Sequence, residues 1–164
     1  MAELNNPNAM TTYTCTIPSP VGAITLTSDD DALLKLDLDT ENPYTEPSTP
    51  ILRLAKRQID EYFAGVRLDF DIPIRVSGTD FQIRVWNALR KIPYGCTASY
   101  GDVAAMIGNP RAARAVGNAN HNNPIALLIP CHRVINADGS LGGYGGGEHI
   151  KKYLLEFENG GGNF

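Results

Sequence analysis

Residues 125–135 read Ile125-Ala126-Leu127-Leu128-Ile129-Pro130-Cys131-His132-Arg133-Val134-Ile135. Five apolar residues in succession, bounded by a proline, indicate a short strand that is covered on both faces. Proline cannot donate a backbone hydrogen bond, so Pro130 is expected to end the pairing of that strand. The sequence therefore predicts that Cys131 emerges at a rigid strand end, with a histidine and an arginine directly behind it.

Two interpretations of Cys131 follow from this placement. Free cysteine is among the most buried residue types, so Cys131 can be a small core residue. Alternatively, the basic neighbours His132 and Arg133 lower the pKa of the thiol and generate a nucleophilic thiolate. Successive side chains of an extended segment point to opposite sides, so a direct hydrogen bond between Cys131 and His132 would need a turn or a bridging water.

The composition is typical of one ordinary globular domain or of two small ones. Of the 164 residues, 43% are hydrophobic and 20% are charged. No apolar run is long enough to span a membrane, and the polar amino terminus lacks the apolar core of a signal peptide. We therefore expect a cytoplasmic, intracellular protein with no membrane partner.

The cysteine and histidine spacings argue against a disulfide framework and against a metal site. The chain has three cysteines, Cys15, Cys96 and Cys131, and three histidines, His121, His132 and His149. The cysteines are far apart, odd in number and without a CxxC pair. The histidines lack the spacing of metal ligands. We expect no structural zinc, no other metal and no cofactor.

Charge divides the chain into two parts between residues 77 and 78. Residues 1–77 hold 12 acidic and 6 basic side chains, whereas residues 78–164 hold 6 acidic and 8 basic ones. Only the second part has the charge to meet phosphate, although an ordinary solvated surface explains the same numbers. We predict an amino-terminal scaffold domain over 1–77 and a carboxy-terminal functional domain over 78–164.

Alternating polar and apolar residues predict an antiparallel sheet in the first part. The alternation recurs in three segments joined by short turns, at residues 13–17, 21–27 and 34–38. Pro50 is expected to open a helix and Gly65 to end it. The apolar stripe of that helix, which covers one face of the sheet, comprises Leu54, Ala55, Ile59, Tyr62 and Phe63. Residues 70–74 suggest a last extended piece, which completes a small α+β domain.

Cap signals predict a helix-turn-helix in the second part. Four apolar residues share one face of a first helix: Phe81, Val85, Trp86 and Leu89. Ser99 precedes the next helix as an N-cap, with Asp102 three residues further on, and Gly108 closes it. Residues 109–110, Asn-Pro, are expected to start the following helix, which continues through Val116. Two short helices joined by a glycine-containing turn make up the motif.

The second helix of this motif is rich in alanine, which permits close approach to another surface. Arg111 and Arg114 are three residues apart and are expected on one side, with Gly117 near the predicted end. Small side chains let a helix sit deep in a nucleic-acid groove while arginines reach phosphates or bases. Two small helices packed within a core explain the composition equally well. His121, which follows the predicted helix, is expected to be solvated rather than bound to phosphate.

The motifs of the second part, taken in order, resemble those of the O6-alkylguanine-DNA alkyltransferases. They are Phe81-Gln82 with Val85-Trp86, Ile92-Pro93-Tyr94-Gly95, Ser99-Tyr100, residues 111–117, Asn123-Pro124, residues 130–134 and residues 142–147. The Pro-Cys-His-Arg motif at this distance from the Arg-Ala-Val-Gly helix is very specific. The first part, with residues 19–22 and 61–65, resembles the other domain of that family.

The resemblance implies repair of O6-alkylguanine in DNA by irreversible transfer of the alkyl group to the protein, in a single turnover. Cys131 would accept the alkyl group, His132 would polarise the thiol through a water, and Glu158 would orient His132. Asn123 would brace the turn around this network. Tyr100 would donate to N3 of the departing guanine. Relatives that sense lesions without repairing them have tryptophan at the acceptor position, so Cys131 argues against that assignment.

The same resemblance implies the partner and the substrate pocket. Family members place the recognition helix in the minor groove of double-stranded DNA, largely without sequence readout, and extrude the damaged nucleotide. Arg114 would fill the gap left by the base, and the further DNA contacts would be Arg111, Ala112, Ala115 and Tyr100. The pocket would be formed by Tyr144, Gly145, Gly146 and Val134, with a backbone N–H near Gly145 directed at O6.

The expected fold class is α+β. A small antiparallel sheet with a helix is followed by a mostly helical, winged-helix-like helix-turn-helix domain that carries the reactive cysteine. The residues alone leave two other functions open. A non-catalytic DNA-binding lesion sensor or regulator needs only the helix-turn-helix, and a cysteine hydrolase needs Cys131, His132 and Glu158 with water to discharge an intermediate. We expect a monomer on DNA, and the sequence leaves open whether it binds cooperatively.

Overall fold

The fold is seen in a computed structural model, which describes residues 11–144 and 147–160. Its elements are β1 (Tyr13–Ile17), β2 (Ala23–Ser28), β3 (Leu33–Thr40), α1 (Pro50–Phe63), α2 (Asp80–Leu89), β4 (Ala98–Ser99), α3 (Tyr100–Met106), α4 (Ala113–His121), a 3-10 helix (Cys131–Arg133), β5 (Val134–Ile135) and α5 (Glu148–Glu158). The predicted α+β class is confirmed: an antiparallel sheet and a helix come first, and helices dominate the second part.

The first three strands form an antiparallel sheet in the order β1, β2, β3. Cys15 pairs with Leu26 and Leu26 pairs with Leu36, so the alternation places three buried side chains on one face. The extended piece predicted at residues 70–74 is reduced to one isolated bridge between Leu33 and Ile74. Within the described residues, the sheet therefore keeps the three strands that the alternation predicted.

Helix α1 packs against all three strands of this sheet. It begins as predicted at Pro50, and the side chain of Thr49 caps it by accepting a hydrogen bond from the N–H of Leu52. Proline suits the first helical position because its missing N–H would have no partner there. The buried side of the helix comprises Leu52, Ala55, Gln58, Ile59 and Tyr62, which places the Tyr62 ring in the core.

Reciprocal caps fix the two helices that begin the second part. Thr79 and Gln82 form a capping box at the start of α2, which the sequence analysis did not identify. Ser99 and Asp102 form the predicted capping box at the start of α3. Trp86 in α2 donates its indole N–H to the carbonyl of Ala119 in α4 at 2.9 Å. This hydrogen bond holds α2 against α4.

Helix α4 begins at Ala113, three residues later than predicted, because its N-cap is Ala112 rather than Asn109. The N–H of Ala112 donates to the carbonyl of Asn109, which closes a turn before the helix starts. Arg111 and Ala112 therefore precede the helix, and Arg114 is the one of the two arginines that lies on its first turn. The helix also runs further than expected, to His121, so Gly117 lies in its middle rather than near its end.

The apolar run before Cys131 is a buried turn, and the predicted strand is wrong. Ile125 makes one isolated parallel bridge to Leu36, and the N–H of Ile129 then donates to the carbonyl of Ile125 at 3.0 Å. Leu127 has a φ of 71°, in the left-handed region that a strand excludes. A short apolar run does not distinguish a strand from another buried segment, which is why the pattern misled.

Buried side chains from both parts of the chain form one continuous core. The division into residues 1–77 and 78–164 stays a prediction. Across the two described ranges, every helix is too short or too polar to span a lipid bilayer.

Candidate active site

Cys131 is the first residue of the 3-10 helix and is 5% exposed. Its N–H donates to the carbonyl of Ile129 at 2.7 Å, and its own carbonyl accepts from the Asn120 amide at 3.3 Å. Asn123 braces the preceding turn from both ends, because its amide donates to Ile129 at 2.7 Å and its carbonyl accepts from Ile125 at 2.9 Å. The backbone that carries the thiol is therefore fixed by two asparagines.

Burial raises the pKa of the Cys131 thiol, and interactions with Asn123 and Tyr144 and the charge of Lys151 offset this only in part. Of the two interpretations of Cys131, the one in which His132 and Arg133 lower the pKa of the thiol is wrong, because both neighbours turn to Glu158 rather than to the thiol. The thiol is protonated at rest, so a thiolate has to be generated when substrate is bound.

His132 is completely buried, and its Nε2 lies 2.8 Å from Oε2 of Glu158. Burial lowers the pKa of His132 more than the carboxylate raises it, so the ring is neutral at physiological pH. We assign the ring proton to Nε2, since that nitrogen faces an acceptor. Nδ1 then carries a lone pair, and it has no hydrogen-bond partner among the described residues. The imidazole can therefore accept a proton.

Glu158, the last residue of α5, receives hydrogen bonds on both carboxylate oxygens. Arg133 binds it in a bidentate manner, with Nε 2.8 Å from Oε1 and Nη2 3.0 Å from Oε2. Tyr62 donates its hydroxyl to Oε2 at 2.6 Å. Burial alone would raise the pKa of Glu158, but the hydrogen bonds from His132 and Arg133 outweigh it and hold the pKa well below its usual range. The carboxylate is ionised and firmly oriented.

Lys151 in α5 is a second buried cation, and it is fully enclosed. Its ammonium lies 3.4 Å from the carbonyl of Gly143 and 5.9 Å from the centre of the Tyr100 ring. Burial lowers the pKa of Lys151 from 10.5 to about 8. Its positive charge also lowers the pKa of the Cys131 thiol. Lys151 is therefore the cation of this site that acts on the reactive sulfur.

Two cavities adjoin the site and share the lining residues Asn120, His121 and Tyr144. The first, of about 210 Å³, is lined by Cys131 and Asn123, and β3 forms its opposite wall. The second, of about 320 Å³, is also lined by Tyr100, Gly117, Asn136 and Gly143. Together they offer a reactive sulfur in one compartment and a phenolic hydrogen-bond donor in the next.

The predicted pocket residues are only partly brought together. Tyr144 borders both cavities, whereas Val134 is completely buried and is absent from the described residues that line them. Gly145 and Gly146 lie outside the described residues. His121, expected to be solvated, is exposed as predicted but also borders both cavities.

The predicted DNA-contacting residues lie just before α4, on its first turn and at the start of α3. Arg111, Arg114 and Ala115 are exposed, whereas Ala112 is half-buried and packs against the core. Tyr100, at the start of α3, is also half-buried, and burial raises the pKa of its hydroxyl. A Cβ at Gly117 would lie 3.8 Å from the Tyr100 ring, so the two helices approach closely here. Both arginines are therefore free to contact solvent or a partner surface, while Tyr100 and Gly117 line the second cavity.

The comparisons with known proteins agree over nearly the whole chain. The family described as 6-O-methylguanine DNA methyltransferase, DNA binding domain, matches residues 80–160, and the ribonuclease-like domain of the same enzymes matches residues 12–76. The methylated-DNA–protein-cysteine methyltransferase of Methanosarcina acetivorans is 45% identical over 153 residues, which cover 89% of this chain and 97% of the relative. This chain belongs to the methylated-DNA–protein-cysteine methyltransferase family.

Solved structures of the methylated-DNA–protein-cysteine methyltransferase family have the same fold. The O6-methylguanine methyltransferase of Mycobacterium tuberculosis is 47% identical, with a TM-score of 0.83 over 92% of this chain and 94% of the other. A structure of Mycobacterium tuberculosis OGT in complex with DNA is 49% identical, with a TM-score of 0.82 over 88% of this chain and 91% of the other.

Sequence reasoning missed four residues of the site. Arg133 lies inside the recognised motif, but its bond to Glu158 could not be read from spacing. Lys151 stands beside Lys152, a pair that looks solvated in sequence because lysine is seldom fully buried. Tyr62 was identified only as part of the apolar stripe of α1. The fourth, Asn120, gave no signal at all.

Proposed function

We propose that the protein repairs O6-alkylguanine in double-stranded DNA by transferring the alkyl group to Sγ of Cys131. One observation carries the proposal: the buried thiol borders a cavity, and beside it stands a neutral histidine that Glu158 orients and whose Nδ1 is free to accept a proton. A relative with this function in its name is 45% identical over 153 residues. No metal or cofactor is needed for this reaction.

The chemistry is displacement at the saturated carbon attached to O6. The thiol proton passes to Nδ1 of His132 through a water, the sulfur attacks that carbon, and the bond from carbon to O6 breaks as the bond from sulfur to carbon forms. The guanine leaves with the electron pair on its ring system, and Tyr100 donates a proton or hydrogen bond to N3. Lys151 balances the thiolate charge while it exists.

The product is a thioether, which water does not hydrolyse back to a thiol. Since the family chemistry offers no group that releases the alkyl chain, each protein molecule reacts once. This outcome separates the proposal from a cysteine hydrolase, whose adduct would be transient. It also separates it from a regulator that binds DNA without chemistry.

Access to O6 requires the nucleotide to leave the base stack, at a cost of a few kcal/mol. Arg114, exposed on the first turn of α4, would occupy the vacated position, and Arg111 and Ala115 would contact the backbone in the minor groove. The protein would act as a monomer on DNA in the cytoplasm. Residues 78–164 would bind DNA and react, while residues 1–77 would support the site.

Replacement of Cys131 by serine tests the proposal. Cys131→Ser should abolish alkyl transfer from methylated duplex DNA while DNA affinity stays within about twofold, because the thiol takes part in chemistry rather than docking. Cys96→Ser is the matched control, since Cys96 is an exposed free cysteine. Transfer that persists in Cys131→Ser would overturn the assignment, whatever the result for Cys96→Ser.

A further inference from the structure

Tyr62 brings a hydroxyl from the first part of the chain to the carboxylate that orients His132. It lies on α1, is completely buried, and donates to Oε2 of Glu158 at 2.6 Å. The rings of Phe63, Phe70, Tyr94 and Phe157 surround it, with centroids 5.0, 5.4, 6.0 and 5.5 Å away. These contacts fix the phenol plane, so the hydroxyl can hardly turn away from the carboxylate.

Oε2 of Glu158 is the shared acceptor of three donors. Tyr62 lies at 2.6 Å, Nε2 of His132 at 2.8 Å and Nη2 of Arg133 at 3.0 Å. Each donor to an ionised carboxylate takes up part of its negative charge. The charge that remains on Oε2 determines how strongly Glu158 stabilises a protonated imidazole. The tyrosine bond, the shortest of the three, therefore influences the basicity of His132.

We propose that Tyr62 is a positioning residue for alkyl transfer, which moderates the charge on Oε2 of Glu158 and thereby sets the proton affinity of His132 Nδ1. The inference rests on the proposed function. Arg133 already holds both carboxylate oxygens, so Glu158 stays in place without Tyr62. What the phenol changes is the electrostatics of the relay rather than its geometry. It gives residues 1–77 a direct part in a reaction whose acceptor lies on Cys131.

Tyr62→Phe removes the hydroxyl and keeps the ring. With more negative charge left on Oε2, the pKa of His132 should rise by about one unit, the lower end of what a hydrogen bond to a charged group corresponds to. The acidic limb of the rate profile for alkyl transfer should move to higher pH by the same amount. DNA affinity should be unchanged, because Tyr62 is buried away from the DNA-contacting residues.

The matched control is Tyr94→Phe. Tyr94 belongs to the same aromatic cluster, and its ring centroid lies 6.0 Å from that of Tyr62. Among the described residues, the side-chain donors to Glu158 are Tyr62, His132 and Arg133, and Tyr94 is not one of them. This variant loses a hydroxyl and keeps the ring over Arg133. Its rate profile should coincide with that of the wild type.

The experiment measures the pH–rate profile with methylated duplex DNA and, separately, the pKa of His132 by NMR in the free protein. A fluorinated tyrosine at position 62, a stronger donor, should move both in the opposite direction from Tyr62→Phe and serves if the phenylalanine variant does not fold. Folded variants whose pKa of His132 matches the wild type would overturn the inference. Wild-type protein that transfers no alkyl group would instead contradict the proposed function, and the NMR result would still decide the role of Tyr62.

Discussion

Replacement of Lys151 by methionine is expected to make the protein more stable and less active. Burial lowers the pKa of Lys151 from 10.5 to about 8, so at neutral pH the folded state carries a charge that is unfavourable by about 3 kcal/mol relative to the unfolded chain. Methionine keeps an unbranched apolar stem as far as the ε position and removes the charged ammonium group. The variant also loses the hydrogen bond from Lys151 to the carbonyl of Gly143, at 3.4 Å, which reduces the stability gain by about 1 kcal/mol. A net gain of about 2 kcal/mol in unfolding free energy remains.

The pH dependence of stability identifies the cause of this gain. The pKa of Lys151 in the folded state lies below its ordinary value of 10.5, so between about pH 8 and 10.5 the unfolded chain binds more protons than the folded one. The stability contribution of this lysine therefore rises with pH in that window. The variant lacks the group, so its advantage should be largest below about pH 8 and should shrink towards about pH 10.5.

Thermal unfolding and transfer kinetics measure the two effects separately. A gain of about 2 kcal/mol should raise the Tm by about 4–8 °C at neutral pH. Alkyl transfer should slow about tenfold for each unit by which the pKa of Cys131 rises, because the charge of Lys151 lowers that pKa. Lys152→Met, at the exposed neighbour, should change neither. A Lys151→Met variant that is less stable than the wild type, or a stability gain that does not change with pH, would refute the electrostatic reasoning. An unchanged rate of alkyl transfer in this variant would show that Lys151 does not act on the thiol.

Four further substitutions probe the relay, the DNA surface and the helix. Glu158→Gln should lower the unfolding free energy by about 3 kcal/mol, because the buried Arg133 loses its counter-ion. The same variant should raise the apparent pKa of Cys131 and slow alkyl transfer. An unchanged pH–rate profile would show that no relay operates. Arg114→Ala should reduce repair of duplex DNA far more than reaction with a free alkylated guanine base, which needs no flipping. Equal losses of Arg114→Ala on both substrates would remove Arg114 from the flipping step. Arg111→Ala should only weaken DNA binding and reduce its salt dependence by about one phosphate contact. Gly117→Ala should raise the unfolding free energy by about 0.5–1 kcal/mol in urea titrations. Gly117 lies in mid-helix, and a Cβ there would be 3.8 Å from the Tyr100 ring, an ordinary van der Waals contact. A less stable variant would contradict that packing.

Local sequence patterns correctly predicted the strands and helix caps that depend only on neighbouring residues or on one buried face. The alternation of β1 to β3 and the capping box of Ser99 and Asp102 are local signals, and both appear as predicted. Local rules failed where tertiary packing chooses between similar patterns. Residues 125–129 are buried as expected but form a turn, because Asn123 binds both ends of the segment. Asn109 and Pro110 looked like a helix start, yet they form the turn before α4.

The site shows the same division between local and distant information. The resemblance correctly brought His132 together with Glu158, 26 residues apart in sequence. It gave no indication that Tyr62, 96 residues from Glu158, completes the carboxylate's hydrogen bonds. One of the two interpretations of Cys131 gave its pKa shift the wrong sign, since adjacency in sequence does not show that His132 and Arg133 both bind a third residue, Glu158. Burial and long-range pairing cannot be read from spacing alone.

Stoichiometry distinguishes a single-turnover acceptor from a catalyst and from a passive DNA binder. The measurement is intact-mass spectrometry of the protein after titration with duplex DNA containing O6-methylguanine, followed by peptide mapping. We expect each protein molecule to gain one methyl group, located on the peptide that contains Cys131, and repair to stop when the lesions equal the protein. Repair of several lesions by one molecule, or repaired DNA beside an unmodified Cys131, would contradict irreversible transfer to this cysteine.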